Sequence, residues 1–216
     1  MKLVIGNKNY SSWSLRAWLM LAANKISFEE IRVPLSTPDS HTELKKYSDA
    51  AKVPVLLDKG SVIWDSLAIC EYVSEQYLDG KAWPFDPMDR ALARSCCAEM
   101  HSSFFLVRGE MPMNCRAVNR RIYINEELQK EISRIDTIWK DLLTRYSSVG
   151  PYLFGEFSIA DCMFAPLVFR FNTYDIAISD VSRNYMQTML DHSDMQRWLE
   201  DGRQEKEKIE IEETGM

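Results

Sequence analysis

Along the first eighty positions the apolar residues change period several times, and each change marks an element. Lys2 to Gly6 is a short apolar run of strand length; behind it Leu15, Trp18, Leu19 and Ala22 recur at i, i+3, i+4 and i+7, the repeat of one helix face. Phe28 to Val33 alternates apolar with charged residues, Val53 to Leu57 is a run with β-branched residues after a proline-containing step, and Ser61 to Trp64 follows a Lys59-Gly60 turn. These give three more strands. Asp39 to Ser48 reads as a short polar helix between the second and third strands, and Asp65 opens a longer helix whose Ile69, Val73 and Tyr77 share a face. The predicted order is βαβαββα.

Asp79 to Pro87 breaks the periodicity with one glycine and two prolines, so the reading is residues 1–80 as an α/β domain, 81–87 as a linker and 88–216 as an all-helical domain. In the second part Met88 to about Gly109 predicts one long helix. Leu128, Ile132, Ile135, Trp139 and Leu142 form a core-type stripe along another. Ser158 begins a third helix, Arg183 to Leu190 a fourth, and Asp194 to about Lys208 a last one, after which the Glu-rich end is expected to fray into solvent.

Composition adds exclusions. The 216 residues are 46% apolar and 27% charged, an ordinary globular balance, with no apolar run long enough to span a bilayer. The start has too short an apolar stretch for a signal segment. Five cysteines (Cys70, Cys96, Cys97, Cys115, Cys162), odd in number and without a Cys-x-x-Cys pair, predict reduced thiols and a cytoplasmic protein. A formal charge of −6 with no basic stripe argues against nucleic acid and for a small-molecule or protein partner. Three histidines far apart in sequence, with no His-Glu-x-x-His pattern, predict no metal.

Three segments carry candidate chemistry. Asn9 to Arg16, with Ser11, Ser12 and Ser14, joins the first strand to the first helix, where free amides face an anion such as a thiolate and where serines also serve as caps. Pro54 marks a strand start or edge. Asp65-Ser66 begins a helix, so Ser66 and the first-turn amides suit a carboxylate and Asp65 an ammonium group, or Asp65 simply caps. Ser158 and Asp161, spaced as a capping box with Phe157 and Cys162 placed for a staple, are structural. His101, Phe104, Phe105 and Arg108 would share a broad face of the long helix; core packing or a dimer contact accounts for them, and no catalytic role is assigned.

In this order and spacing the segments resemble the cytosolic glutathione S-transferases over nearly the whole chain. Ser11-Ser12-Trp13-Ser14-Leu15-Arg16 is similar to the entry loop of the serine-type, zeta- or theta-like members; Lys52-Val53-Pro54-Val55-Leu56 to the cis-proline strand; Asp65-Ser66-Leu67-Ala68-Ile69 to the γ-glutamyl site. Trp83-Pro84-Phe85-Asp86-Pro87 with Arg90 resembles the interdomain link, and Phe157 to Asp161 the helix-capping motif. The resemblance implies a thioredoxin-like first domain, an all-helical second one, and a homodimer. It further implies glutathione as co-substrate, held by Trp13, Lys52, Val53, Pro54, Asp65 and Ser66, and activated by Ser11, or by Ser12 in the other register. The implied activity is attack on a small hydrophobic electrophile or a glutathione-dependent isomerisation; the alternatives are a non-catalytic scaffold and a glutathione-binding module. Two departures stand out. Ser48-Asp49-Ala50-Ala51-Lys52 replaces the frequent Asn-Pro-x-Gly-Lys, and the absence of a cysteine in the entry loop disfavours disulfide exchange.

Overall fold

Alternation along the first strand sets the layers. The computed structural model describes residues 1–215, so the last position of the expected helical part lies outside it. In β1 (Lys2–Ile5), Leu3 and Ile5 enter the main core, whereas Val4 enters a second, smaller cluster with Val33, Val55 and Leu44. The main core lies under α1 (Ser12–Ala23) and α3 (Ser66–Tyr77); Leu44 belongs to α2 (Ser40–Lys45). With β2 (Glu29–Arg32), β3 (Val55–Asp58) and β4 (Ser61–Trp64) these elements follow the predicted βαβαββα order. The sheet runs β2-β1-β3-β4, with β1 parallel to β2 and antiparallel to β3, and β3 antiparallel to β4.

The remainder is helical: α4 (Pro87–Ser102), α5 (Phe105–Glu110), α6 (Glu126–Arg145), α7 (Ile159–Thr173), α8 (Asp180–Asp191), α9 (Ser193–Gln204) and a 3-10 turn at Glu210–Glu212. The predicted stripe of α6 is buried throughout, including Trp139. Two helices are buried on every side. Ser14 to Ala22 of α1 and Ile159 to Phe171 of α7 contain no exposed residue, and a helix apolar all round has to be covered all round. α1 packs on α3, α7 and α9, and α7 on α1, α4 and α8. All five cysteines are buried and unpaired.

Two expectations are corrected. The helix predicted over Met88 to Gly109 is broken: Ser103 is extended and Phe104 adopts a left-handed conformation (φ 59°) before α5 begins. The break turns Phe104 into the core and leaves Phe105 70% exposed, so the supposed common face does not exist. Arg108 makes the break tolerable by donating to the terminal α4 carbonyls of Met100 and His101. The Glu-rich end does not fray. After α9 stops at Gln204, the Glu205 carboxylate accepts from the Lys8 and Asn9 amides (2.7 and 3.1 Å), and Arg116 donates to the Glu205 and Glu207 carbonyls. Arg32 pairs with Glu207 at 2.7 Å, and Glu213 takes Tyr10, Arg116 and Arg120. The acidic tail is neutralised by basic residues distant in sequence, which local charge patterning does not reveal.

At the start of α7 the fully buried Asp161 carboxylate accepts from Leu153 N and Tyr185 Oη on one oxygen and from Ser158 N and Oγ on the other, at 2.9 to 3.1 Å. Burial pushes its pKa up to about 6 in spite of these four donors. An amide in either orientation would face two donors with a third. Asp161→Asn is therefore expected to lower the unfolding free energy by about 1–3 kcal/mol, the usual cost of an unsatisfied buried group. A denaturant titration with an unshifted midpoint would contradict this.

Candidate active site

The segment between β1 and α1 is a pinned loop. Tyr10 N and Ser11 N both donate to Asn7 O; Asn7 Oδ1 accepts from Leu35 N at 2.7 Å; the Asn9 amide donates to Asn114 Oδ1 at 2.9 Å. Ser11 is the N-cap of α1. Its Oγ lies 2.7 Å from Ser14 Oγ, which itself accepts from Gly6 N at 3.0 Å, while Ser12 is the first helical residue. This end of α1 opens on a cavity of about 290 Å³ walled by Tyr10, Ser11, Ser12, Trp13 and Arg16 on one side and by Met100, Arg108, Pro166, Leu167 and Arg170 on the other. Leu35, Val53 and Glu212 complete the wall.

Of the residues expected to form the site, Ser11, Ser12, Trp13 and Val53 meet at this cavity. Val53 precedes a cis peptide bond to Pro54, which is buried at the entry to β3. Lys52 is exposed and stands off the wall. Asp65 and Ser66 also lie outside it, at the start of α3: Asp65, at φ 73°, caps the helix by accepting from Leu67 N and Ala68 N. The Ser66 hydroxyl is fully buried and, among the described residues, has no partner. His101 of α4 links the two places. Its Nε2 is 3.2 Å from Asp65 Oδ2, and its ring stands edge-on to Trp13 with centroids 5.2 Å apart.

Three arginines dominate the cavity, and sequence reasoning gave none of them a role. Arg16 stacks on Trp13 (4.4 Å to the ring centroid) and Arg108 approaches the same ring at 5.2 Å. Arg170 donates to the Met111 and Arg108 carbonyls and reaches Ser12 Oγ at 3.3 Å. Arg16 is 2% exposed, and its Nε and Nη1 have no partner among the described residues; Nε of Arg108 is likewise unpartnered. Burial, reinforced by the charges of Arg108 and Arg170, drives the Arg16 pKa down to about 9; burial drives Arg170 to about 10 and lowers Arg108. All three stay charged at neutral pH. Their signal in the sequence was an arginine inside an otherwise apolar helix, Phe169-Arg170-Phe171, matching Arg16 beside Leu15 and Trp18. Chemically, the arrangement is a hydroxyl-lined helix start facing a small cavity whose three guanidiniums favour negative charge.

Residues 10–76 match the glutathione S-transferase N-terminal domain model, and residues 123–201 the glutathione S-transferase C-terminal domain model. A probable maleylacetoacetate isomerase from Caenorhabditis elegans is 30% identical over 175 residues, covering 78% of each chain. A stringent starvation protein A homolog from Pasteurella multocida is 25% identical over 163 residues, 74% of this chain and 71% of that one. Among solved structures, a Burkholderia glutathione transferase homolog with bound glutathione has the same fold, with a TM-score of 0.71 at 22% identity over 94% of this chain and 97% of that one.

A buried guanidinium with two idle donors and two cationic neighbours costs stability unless an anion joins it. Replacing Arg16 with a chain of similar length and no charge removes that cost, although the stacking on Trp13 is weakened. Arg16→Met is expected to raise the unfolding free energy by about 1–2 kcal/mol, measured without added anions. A lowered denaturation midpoint would mean that Arg16 is a structural cation.

Proposed function

The chain belongs to the glutathione S-transferase family, and from that premise we propose that it activates the glutathione thiol with Ser11 and delivers the thiolate to a small anionic electrophile, by conjugation or by glutathione-dependent isomerisation. The observation that carries this reading is the convergence of Arg16, Arg108 and Arg170 on the cavity that the serine loop opens into. A hydrophobic electrophile, the expectation from resemblance alone, would leave the buried Arg16 and Arg170 and the half-buried Arg108 without a substrate anion. The nematode relative is called a maleylacetoacetate isomerase, and an acetoacetate is a carboxylate.

A free thiol with a pKa near 8.5 is only a few per cent thiolate at neutral pH, and the thiolate is the nucleophile. In the structure Ser11 Oγ donates to Ser14 Oγ, which also accepts from Gly6 N; rotation of both hydroxyls, so that Ser14 donates to Ser11, turns the Ser11 proton toward sulfur. A hydrogen bond to a charged group contributes about 1.5–3 kcal/mol, and the α1 N-terminus about 0.3–1 kcal/mol more. Solvation reduces the sum, yet one pKa unit already changes the thiolate fraction severalfold. The guanidiniums act in the same direction on the thiolate and on negative charge that develops on the acceptor. Ser12 is the second candidate, since Arg170 reaches its oxygen and its proton is also free.

For the rest of glutathione, the orphaned Ser66 hydroxyl and the first turn of α3 suit the γ-glutamyl carboxylate, and Asp65 its ammonium group. Val53, on the cavity wall, suits the peptide part, with Trp13, Lys52 and Pro54 around it. We also propose residues 81–87 as the boundary between a glutathione-binding domain and a helical domain, and a cytoplasmic setting, with which five unpaired buried thiols agree.

The thiolate absorbance of bound glutathione, followed against pH, tests the activation. Ser11→Ala is expected to raise the apparent pKa by about one to two units and to depress turnover most near neutral pH. A shift in Ser12→Ala with none in Ser11→Ala would transfer the role by one residue, and a shift in neither would remove serine activation altogether. The chain is further expected to form a two-fold homodimer, the commonest soluble assembly. Light scattering at micromolar concentration should give twice the monomer mass, and a concentration-independent monomer would contradict it.

A further inference from the structure

The arginine cavity faces one carboxylate of its own chain. Beyond α9 the backbone returns across the loop before α1, fixed first by Glu205 on the Lys8 and Asn9 amides and last by Glu213 on Tyr10, Arg116 and Arg120. Between these points lies Glu212, partly buried on the cavity wall. The two adjacent glutamates are treated differently. Glu213 is locked by two guanidiniums, whereas Glu212 makes no ion pair of its own among the described residues. Glu212 and Arg170 line the same cavity, and burial raises the Glu212 pKa while the charge of Arg170 opposes the rise.

We propose that Glu212 is an internal counter-ion of the arginine cavity, carried on the C-terminal strap, and that an anionic acceptor enters by taking its place. The inference rests on the anionic-acceptor reading above. A carboxylate left on the wall of so small a cavity would repel an incoming anion at short range and low dielectric. Because Glu213 fixes the strap one residue away, rotation of the Glu212 side chain is enough to clear the site, and the strap need not unfold. The tether also gives Glu212 a high effective concentration at the guanidiniums, so that an anion making a single contact competes poorly. An acceptor that engages several guanidiniums at once does not suffer that handicap. The strap thus acts as a filter on anion size and charge as well as a closure.

The test is calorimetric titration of succinate, a four-carbon dianion, and of its neutral diamide into the full chain saturated with glutathione. Glu212→Gln is expected to tighten succinate about three- to tenfold, as loss of one screened like charge allows, while the diamide shifts less than about twofold. Glu213→Gln loosens the strap without removing the Glu212 carboxylate, and it too should tighten succinate. Equal succinate affinity in wild type and Glu212→Gln overturns the proposal and leaves the arginine reading standing. Weaker succinate binding in Glu213→Gln overturns the displacement, because the strap would then belong to the anion's own site. Succinate binding to neither wild type nor Glu212→Gln removes the arginine reading, and the proposal with it.

Discussion

Packing of α1 against α7 is the constraint on which the site depends. Each helix is too apolar to show any face to water, so the two must be buried against one another and then covered by α3, α4, α8 and α9. Once α1 is held there, its N-terminal end, with the serine loop, has only one place to be. Once α7 is held there, Arg170 arrives beside it. The cavity geometry is therefore a by-product of core formation: the two helices buried on every side also carry the loop and the cation that face each other.

The same packing explains how three guanidiniums can be kept on one small cavity. An arginine is expensive to bury alone, and two nearby arginines make it more so. Carbonyls at broken or ending helices absorb part of that cost. Arg108 takes the carbonyls at the end of α4, and Arg170 takes those of Arg108 and Met111 at the end of α5. Arg16 has no such partner and rests on the Trp13 ring. Helix breaks that look like imperfections thus supply the acceptors that let cations stay close to the serine loop.

The fold was legible because its signals are local. Strand alternation in Phe28 to Val33, the turn at Lys59-Gly60 and the cap at Asp65 each depend on a handful of adjacent residues, and each element formed where the pattern placed it. The serine loop and Val53 were legible for the same reason. What escaped was non-local. The α4 break depends on whether Phe104 finds a core position, which the 3.6-residue period of its neighbours does not encode. The acidic tail looked solvated because its partners Arg32, Arg116 and Arg120 lie far back in the chain. Arg170 showed only as a polar interruption in an apolar helix.

Net charge misleads about the site for a related reason. The chain carries a formal −6, which argues against a polyanionic partner, yet the cavity carries three guanidiniums against one carboxylate. Exposed charges are screened beyond roughly 10 Å at ordinary ionic strength, so the acidic surface does little at the depth of the cavity. The guanidiniums on the cavity wall act at short range. Selection of an anion here works by contact after entry more than by attraction from a distance, and a short strap that sets its own carboxylate on the cavity wall is well placed to decide which anions stay.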